Sequence, residues 1–144
     1  MRGPLPDKLR VEHVLHAIAS VEKYLTDVTY DEFLNHEEKI FATIKQLEII
    51  GEASNHISTS LKDMHPEVKW SKIRGFRNIS IHQYFNLELE VVWQIAQKEL
   101  PELENQFTEI KTAMKLAERL ENKLKTENKL LPKKRIGNGK GKKL

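Results

Sequence analysis

The 144-residue chain carries a formal charge of +3, 39% apolar residues and no cysteine, enough for one domain that buries about two-thirds of the surface its unfolded form exposes. The missing thiols exclude disulfides, and with them thiolate chemistry at a metal or a nucleophile. No apolar run approaches the roughly 18 residues a membrane span needs, and "MRGPLPDKLR" has no apolar leader core, so a soluble cytoplasmic protein without membrane contact is expected.

In chain order, Val11, Val14, Ile18, Val21, Leu25 and Val28 recur at alternating steps of three and four, which puts them on one face of a first helix. Asp7, following Pro6, is its expected N-cap. "TYDEF" at 29–33 predicts a turn or a single helical turn. Asn35 with Glu38 three residues on predicts a capping box for a second helix. The buried stripe of that helix is Ile40, Phe41, Ile44, Leu47, Ile50, Ala53 and Ile57.

Residues 58–70 contain Pro66 and predict a break, because the residue before a proline avoids helical geometry. A third helix is expected from Trp70 or Ser71. Asn86 can cap a short fourth helix, with Glu88 in its first turn and Val91, Val92, Ile95 and Ala96 facing inward. Pro101 suits the first turn of a fifth helix. Its stripe of Leu103, Phe107, Ile110, Met114, Ala117 and Leu124 is close to a heptad seam, expected as core, with a partner-helix surface as the alternative. Alternating strand patterns are absent from the sequence, so the class is all-α, a four- to five-helix bundle.

The chain ends in "KLLPKKRIGNGKGKKL", sixteen residues with seven Lys and Arg and no acid. Residues 1–128 then hold 17 basic against 21 acidic residues, a net −4. Glycines among lysines cannot build a core, and like charges repel. Residues 1–128 are therefore expected to be the helical domain and 129–144 a flexible basic tail, either solubilising or in contact with RNA phosphates.

One stretch concentrates chemistry: "RGFRNISIHQYF", 74–85. On a continuous helix Arg74, Asn78 and His82 would form one polar ladder. Arg77 and His82 are five apart, roughly 140° around at 3.6 residues per turn. His82 and Tyr84 share a side only on extended backbone. The set therefore makes best sense where the third helix ends, or where a second chain supplies one member. Gly75 inside that helix costs about 1 kcal/mol relative to Ala, which suggests close packing at that point. Arginine can hold two phosphate oxygens through its planar fork, and histidine can move a proton near neutral pH. RNA carries its own nucleophile, the 2′-hydroxyl, so these groups suffice in outline to cut it without a metal or other cofactor. The plainer reading of the same residues is a solvated, capped helix end.

"RNISIHQY" matches R-N-x-x-x-H-x-Y and resembles the signature of the HepT-like ribonuclease toxins of the HEPN superfamily. "LEIIGEASNHIS" at 47–58 resembles the "IGEA" helix of that family, the Trp70-to-Arg77 spacing fits it, and 84–103 looks like the segment that follows the motif. The likeness covers residues 8–120 and leaves the tail out. It implies an all-α HEPN bundle acting as a metal-independent endoribonuclease, with Arg77 and His82 catalytic. It also implies a homodimer with both motifs lining one cleft, and a toxin paired with an MNT-type nucleotidyltransferase antitoxin that adds AMP to Tyr84. Two facing motifs would relieve the offset between Arg77 and His82. Asn78, Arg74 and Glu52 are the expected supporting residues, Glu52 by turning inward to orient Arg74 or Arg77. The competing reading is a catalytically idle HEPN module that binds a nucleotide or a partner through the same groups.

Other candidates have blander explanations. Glu12 with His13 and His16, and Glu52 with His56, lack a third metal ligand at a useful spacing. His36 fits a capping turn and His65 a loop. Trp70 and Trp93 are expected as core or dimer anchors rather than RNA-stacking platforms.

Overall fold

The computed structural model describes residues 6–79 and 89–131. The chain divides into two compact units, Met1–Lys111 and Thr112–Leu144. Among the described residues there is no strand; the elements are α1 (Asp7–Leu25), α2 (Tyr30–Leu34), α3 (Glu37–Asn55), α4 (Thr59–Met64), α5 (Trp70–Gly75), a 3-10 turn (Phe76–Asn78), α6 (Leu89–Gln94), a π turn (Ile95–Glu99) and α7 (Leu100–Leu130). The all-α class is as the sequence predicts.

In the first unit, α3 packs along α1 and also carries α5 and the 3-10 turn. Val11, Val14, Ile18 and Val21 on α1 meet Ile40, Ile44, Leu47 and Ile50 on α3, all buried, and each such side chain contributes about 1.5–3 kcal/mol by leaving water. Val28 falls outside α1 and is only half-buried, because Asp27 adopts a left-handed conformation (φ 59°) that ends the helix. Two polar ties hold α3 to the end of α1: Lys39 Nζ donates to the Tyr24 carbonyl (2.9 Å), and Gln46 Nε2 donates to the Tyr24 hydroxyl (3.0 Å).

The caps differ from expectation in instructive ways. Pro6, not Asp7, is the N-cap of α1. The Asp7 carboxylate is occupied 51 residues away, accepting from the Ser58 backbone N–H (2.9 Å) and hydroxyl (2.6 Å). Ser58 in turn caps α4, a short helix within the stretch read as a break. The capping box belongs to α2, where Thr29 and Glu32 exchange hydrogen bonds of 2.9 and 3.1 Å. Asn35 instead closes α2 by donating to the Asp31 carbonyl (2.9 Å), which leaves His36 Nδ1 to cap α3 at the Lys39 N–H (3.3 Å).

Pro101 does not start a separate helix. Residues 89–130 run as one helical stretch, and the π turn just ahead of Pro101, with the Leu100 N–H bonded to the Ile95 carbonyl, widens the spiral where the proline ring would otherwise strike the preceding turn. Val92, Ile95 and Ala96 are buried as expected, whereas Val91 is 48% exposed. Trp93 packs on Phe33 (5.2 Å between ring centroids) and Tyr30 (5.7 Å). Trp70 packs on Phe107 (5.7 Å) and donates its indole N–H to the His65 carbonyl (3.0 Å). Both tryptophans thus serve the core. Asn86 and Glu88 lie outside the described residues.

The predicted seam of α7 splits in two. Leu103, Phe107 and Ile110 are core, but Ala117 is exposed and Leu124 is 62% exposed, together with Leu116 and Leu120. The expectation that the whole stripe is core fails beyond Lys111, where the first unit ends.

Candidate functional site

The site grows from one close approach. Gly51, buried on α3, faces the backbone of Arg77 in the 3-10 turn: a Cβ built there would stand 2.4 Å from the Arg77 amide nitrogen. The glycine thus lets two backbones touch, a role expected of Gly75. At Gly75 nothing lies within 4 Å of an added Cβ.

α5 ends at Gly75, and after the 3-10 turn Ile79 is extended (φ −79°, ψ 112°). The motif therefore starts where a helix stops: the α-helix that would put Arg74 and Asn78 on one ladder ends between them. Arg77 stands 40% exposed with Nη1 3.8 Å from Glu52 Oε2. The other carboxylate oxygen of Glu52 is 2.8 Å from His56 Nε2. Glu52 reaches Arg77 from the surface, 54% exposed, rather than by turning inward. So open and long an ion pair adds little to stability, about 0–1 kcal/mol. It can still steer the guanidinium while leaving most of its five donors for a ligand.

A groove of about 340 Å³ runs beside this pair, lined by Lys45, Glu48, Ile49, Glu52, Arg77 and Asn78. Its charges nearly cancel, since Lys45 is bound to Glu48 at 3.0 Å and Arg77 sits by Glu52. The structure thus brings Arg77, Asn78 and Glu52 together. Arg74 is exposed but does not line this groove. It lies near Lys62, whose ammonium is pushed below its ordinary pKa first by burial and then by the Arg74 charge. His82 and Tyr84 lie outside the described residues.

His56, Lys45 and Gly51 had no site role in the sequence reading. The i,i+4 spacing of Glu52 and His56 was the available signal for the first. For Gly51 it was a glycine set inside a long apolar stripe. Among the described residues no group of three or more His, Cys, Asp or Glu is placed to hold a metal ion.

The model of the family described as Ribonuclease HepT-like matches residues 14–110, which include α3, α5 and the motif. The chain belongs to this family. It is similar to a protein named "Probable ribonuclease HepT" from Thermococcus cleftensis, 33% identical over 70% of this chain and 92% of the relative. Relatives that carry an RNase name include one from Methanocaldococcus jannaschii, 34% identical over 65% of this chain and 85% of its own. Another, from Caldanaerobacter subterraneus subsp. tengcongensis, is 32% identical over 76% and 96%. No solved structure gives a significant match. Ribonuclease is the enzyme class of this HepT-like chain, and its all-α bundle is the HEPN architecture. No helix among the described residues is long and apolar enough to cross a membrane.

Proposed function

We propose that this HepT-like protein is a metal-independent endoribonuclease in which Arg77 holds the scissile phosphate and His82 handles the proton. The observation that carries the reading is the seating of Arg77. Its backbone is pressed onto α3 at Gly51, while its guanidinium stands half exposed at a groove, steered by Glu52. In the reaction the 2′-oxygen of RNA attacks the adjacent phosphorus and the 5′-oxygen leaves. His82 takes the 2′-hydroxyl proton or supplies one to the leaving oxygen, and Arg77 offsets the charge that builds on the phosphoryl oxygens. Asn78, on the same groove, can donate to a phosphate oxygen, and Arg74 is left to position RNA from outside the groove.

Labelled tRNA incubated with the purified protein in EDTA tests this. Cleavage is expected, and Arg77→Lys should slow it by about tenfold or more although the charge is kept, because lysine lacks the two-pronged fork. Intact RNA with the wild-type protein would reduce the site to a phosphate-holding module.

The biological setting we infer is a toxin restrained by an MNT-type nucleotidyltransferase antitoxin, acting in the cytoplasm as a homodimer whose two motifs share one cleft. The active species should sediment as a dimer, and a fully active monomer would end the shared-cleft reading. Tyr84 is the proposed switch, two residues from His82. AMP attached there adds a base and a negative charge, which would pair with Arg77 and repel the substrate phosphate. Tyr84→Phe should keep its cleavage but escape silencing by the nucleotidyltransferase and ATP. Mass spectrometry of the wild-type peptide after co-expression should find added AMP, and a silenced toxin with an unmodified Tyr84 would replace this switch with plain binding.

A further inference from the structure

The C-terminal half of α3 lines the groove beside Arg77 with a row of charges. Lys45 lies 3.0 Å from Glu48, and His56 Nε2 lies 2.8 Å from Glu52 Oε1. Each of these two acids thus has a close partner on its own helix, three or four residues away in sequence. Arg77 is different. Its Nη1 stands 3.8 Å from Glu52 Oε2, which is attraction across a gap and not a hydrogen bond. Among the described residues lining the groove, Arg77 is the cation without a close carboxylate. An unrestrained carboxylate would not stop at that distance, because arginine and carboxylate attract most strongly fork to fork, with bonds of about 2.7–2.9 Å. Closing the gap would occupy two guanidinium donors that a phosphate otherwise takes.

We infer that His56 is a positioning residue: its ring holds Glu52 back from Arg77 and so keeps the guanidinium open to a phosphate. This deepens the proposed function and rests on Arg77 being the phosphate ligand. A carboxylate only accepts, so the 2.8 Å bond needs the proton on Nε2 and fixes the tautomer of the ring. The backbone of His56 is pinned. It is the C-cap of α3, its N–H donates to the Ala53 carbonyl (3.1 Å), and Ile57 after it is buried. The imidazole therefore moves through two side-chain bonds from a fixed base, whereas the Glu52 carboxylate swings on three. The firmer group sets the place of the looser one. Glu48, one turn before Glu52, adds a like charge at i,i+4 that biases Glu52 toward the His56 end. His56 does not itself line the groove, so it acts on RNA through Glu52 and not by touching it. The side chains of His56, Glu52 and Arg77 are 48%, 54% and 40% exposed, so water screens them and the effect is a few-fold one.

Wild type is compared with His56→Ala, His56→Gln, Glu52→Gln and the double variant His56→Ala/Glu52→Gln. The binding probe is a labelled 2′-O-methyl RNA, which lacks the internal nucleophile and stays intact. His56→Ala should bind it about three- to fivefold more weakly, within what an open ion pair is worth. His56→Gln keeps an N–H donor at the same i,i+4 place and should stay within about twofold of the wild type. The double variant should bind as Glu52→Gln does, because residue 56 then has no carboxylate to hold. With cleavable RNA, His56→Ala should raise KM by the same factor while kcat holds. In a crystal structure of His56→Ala, the 3.8 Å gap between Arg77 and Glu52 should close to about 2.7–2.9 Å. An unchanged gap overturns the inference whatever the RNA does. So does a loss in His56→Ala that persists undiminished in the Glu52→Gln background. A His56→Ala protein that melts earlier yet binds and cuts like the wild type reduces the pair to a tie at the end of α3, and overturns it too. A wild type that binds the probe, with this order of affinities among the variants, but cuts nothing leaves the inference standing and removes the proposed activity. Cleavage with equal KM in every variant does the reverse.

Discussion

Gly51→Ala should destabilise the protein by about 1–3 kcal/mol, the usual range for forcing atoms into a packed site, and RNA cleavage should fall with it. The direction runs against helix propensity, which favours alanine over glycine by about 1 kcal/mol in a helix interior. The reason is the neighbour. The new Cβ would lie 2.4 Å from the backbone nitrogen of Arg77 and 3.1 Å from its Cα. Backbone cannot rotate away as a lysine tip can, so α3 and the 3-10 turn must separate. Arg77 then leaves the edge of the groove. Gly75→Ala is the matching control: the site is open, and the backbone there is ordinary helix (φ −62°, ψ −22°). It should gain about 0.4–1 kcal/mol through the unfolded chain. Urea midpoints of the two variants, read beside cleavage rates, check both. A Gly51→Ala protein as stable and active as wild type would mean that the close contact is dispensable.

His82→Ala should cut RNA cleavage by about 10²–10⁴-fold, the worth of a positioned acid or base, while the thermal transition stays near that of the wild type. His82 is the one residue of the motif that titrates near neutrality, so the pH profile is the sharper readout. Wild-type rates should change through the histidine range, and the residual activity of the variant should not follow that change. Full cleavage by His82→Ala would remove this residue from the mechanism and move the proton transfer elsewhere, His56 beside Glu52 being the next group to test.

Several features follow from sequence because they are local or periodic. The α1 and α3 stripes were legible from steps of three and four, since any helix must bury such a face. The R-N-x-x-x-H-x-Y spacing at 77–84 is legible in the letters, and a helix end near it is one of the geometries that spacing suits; α5 does end at Gly75, just before it. What sequence could not decide depended on partners distant along the chain. Asp7 looks like a cap until Ser58, 51 residues away, takes its carboxylate. Gly75 and Gly51 are equally plausible points of close approach as letters; only packing sets the Arg77 backbone against one of them. The stripe of α7 keeps its apolar period past Lys111, but period reports a face, not what covers it, and Leu124 is exposed. Charge is the opposite case. The change from −5 to +8 between the two units is already written in the composition. The tertiary structure was needed to place the boundary where it becomes visible, because a unit is defined by its contacts rather than by its letters.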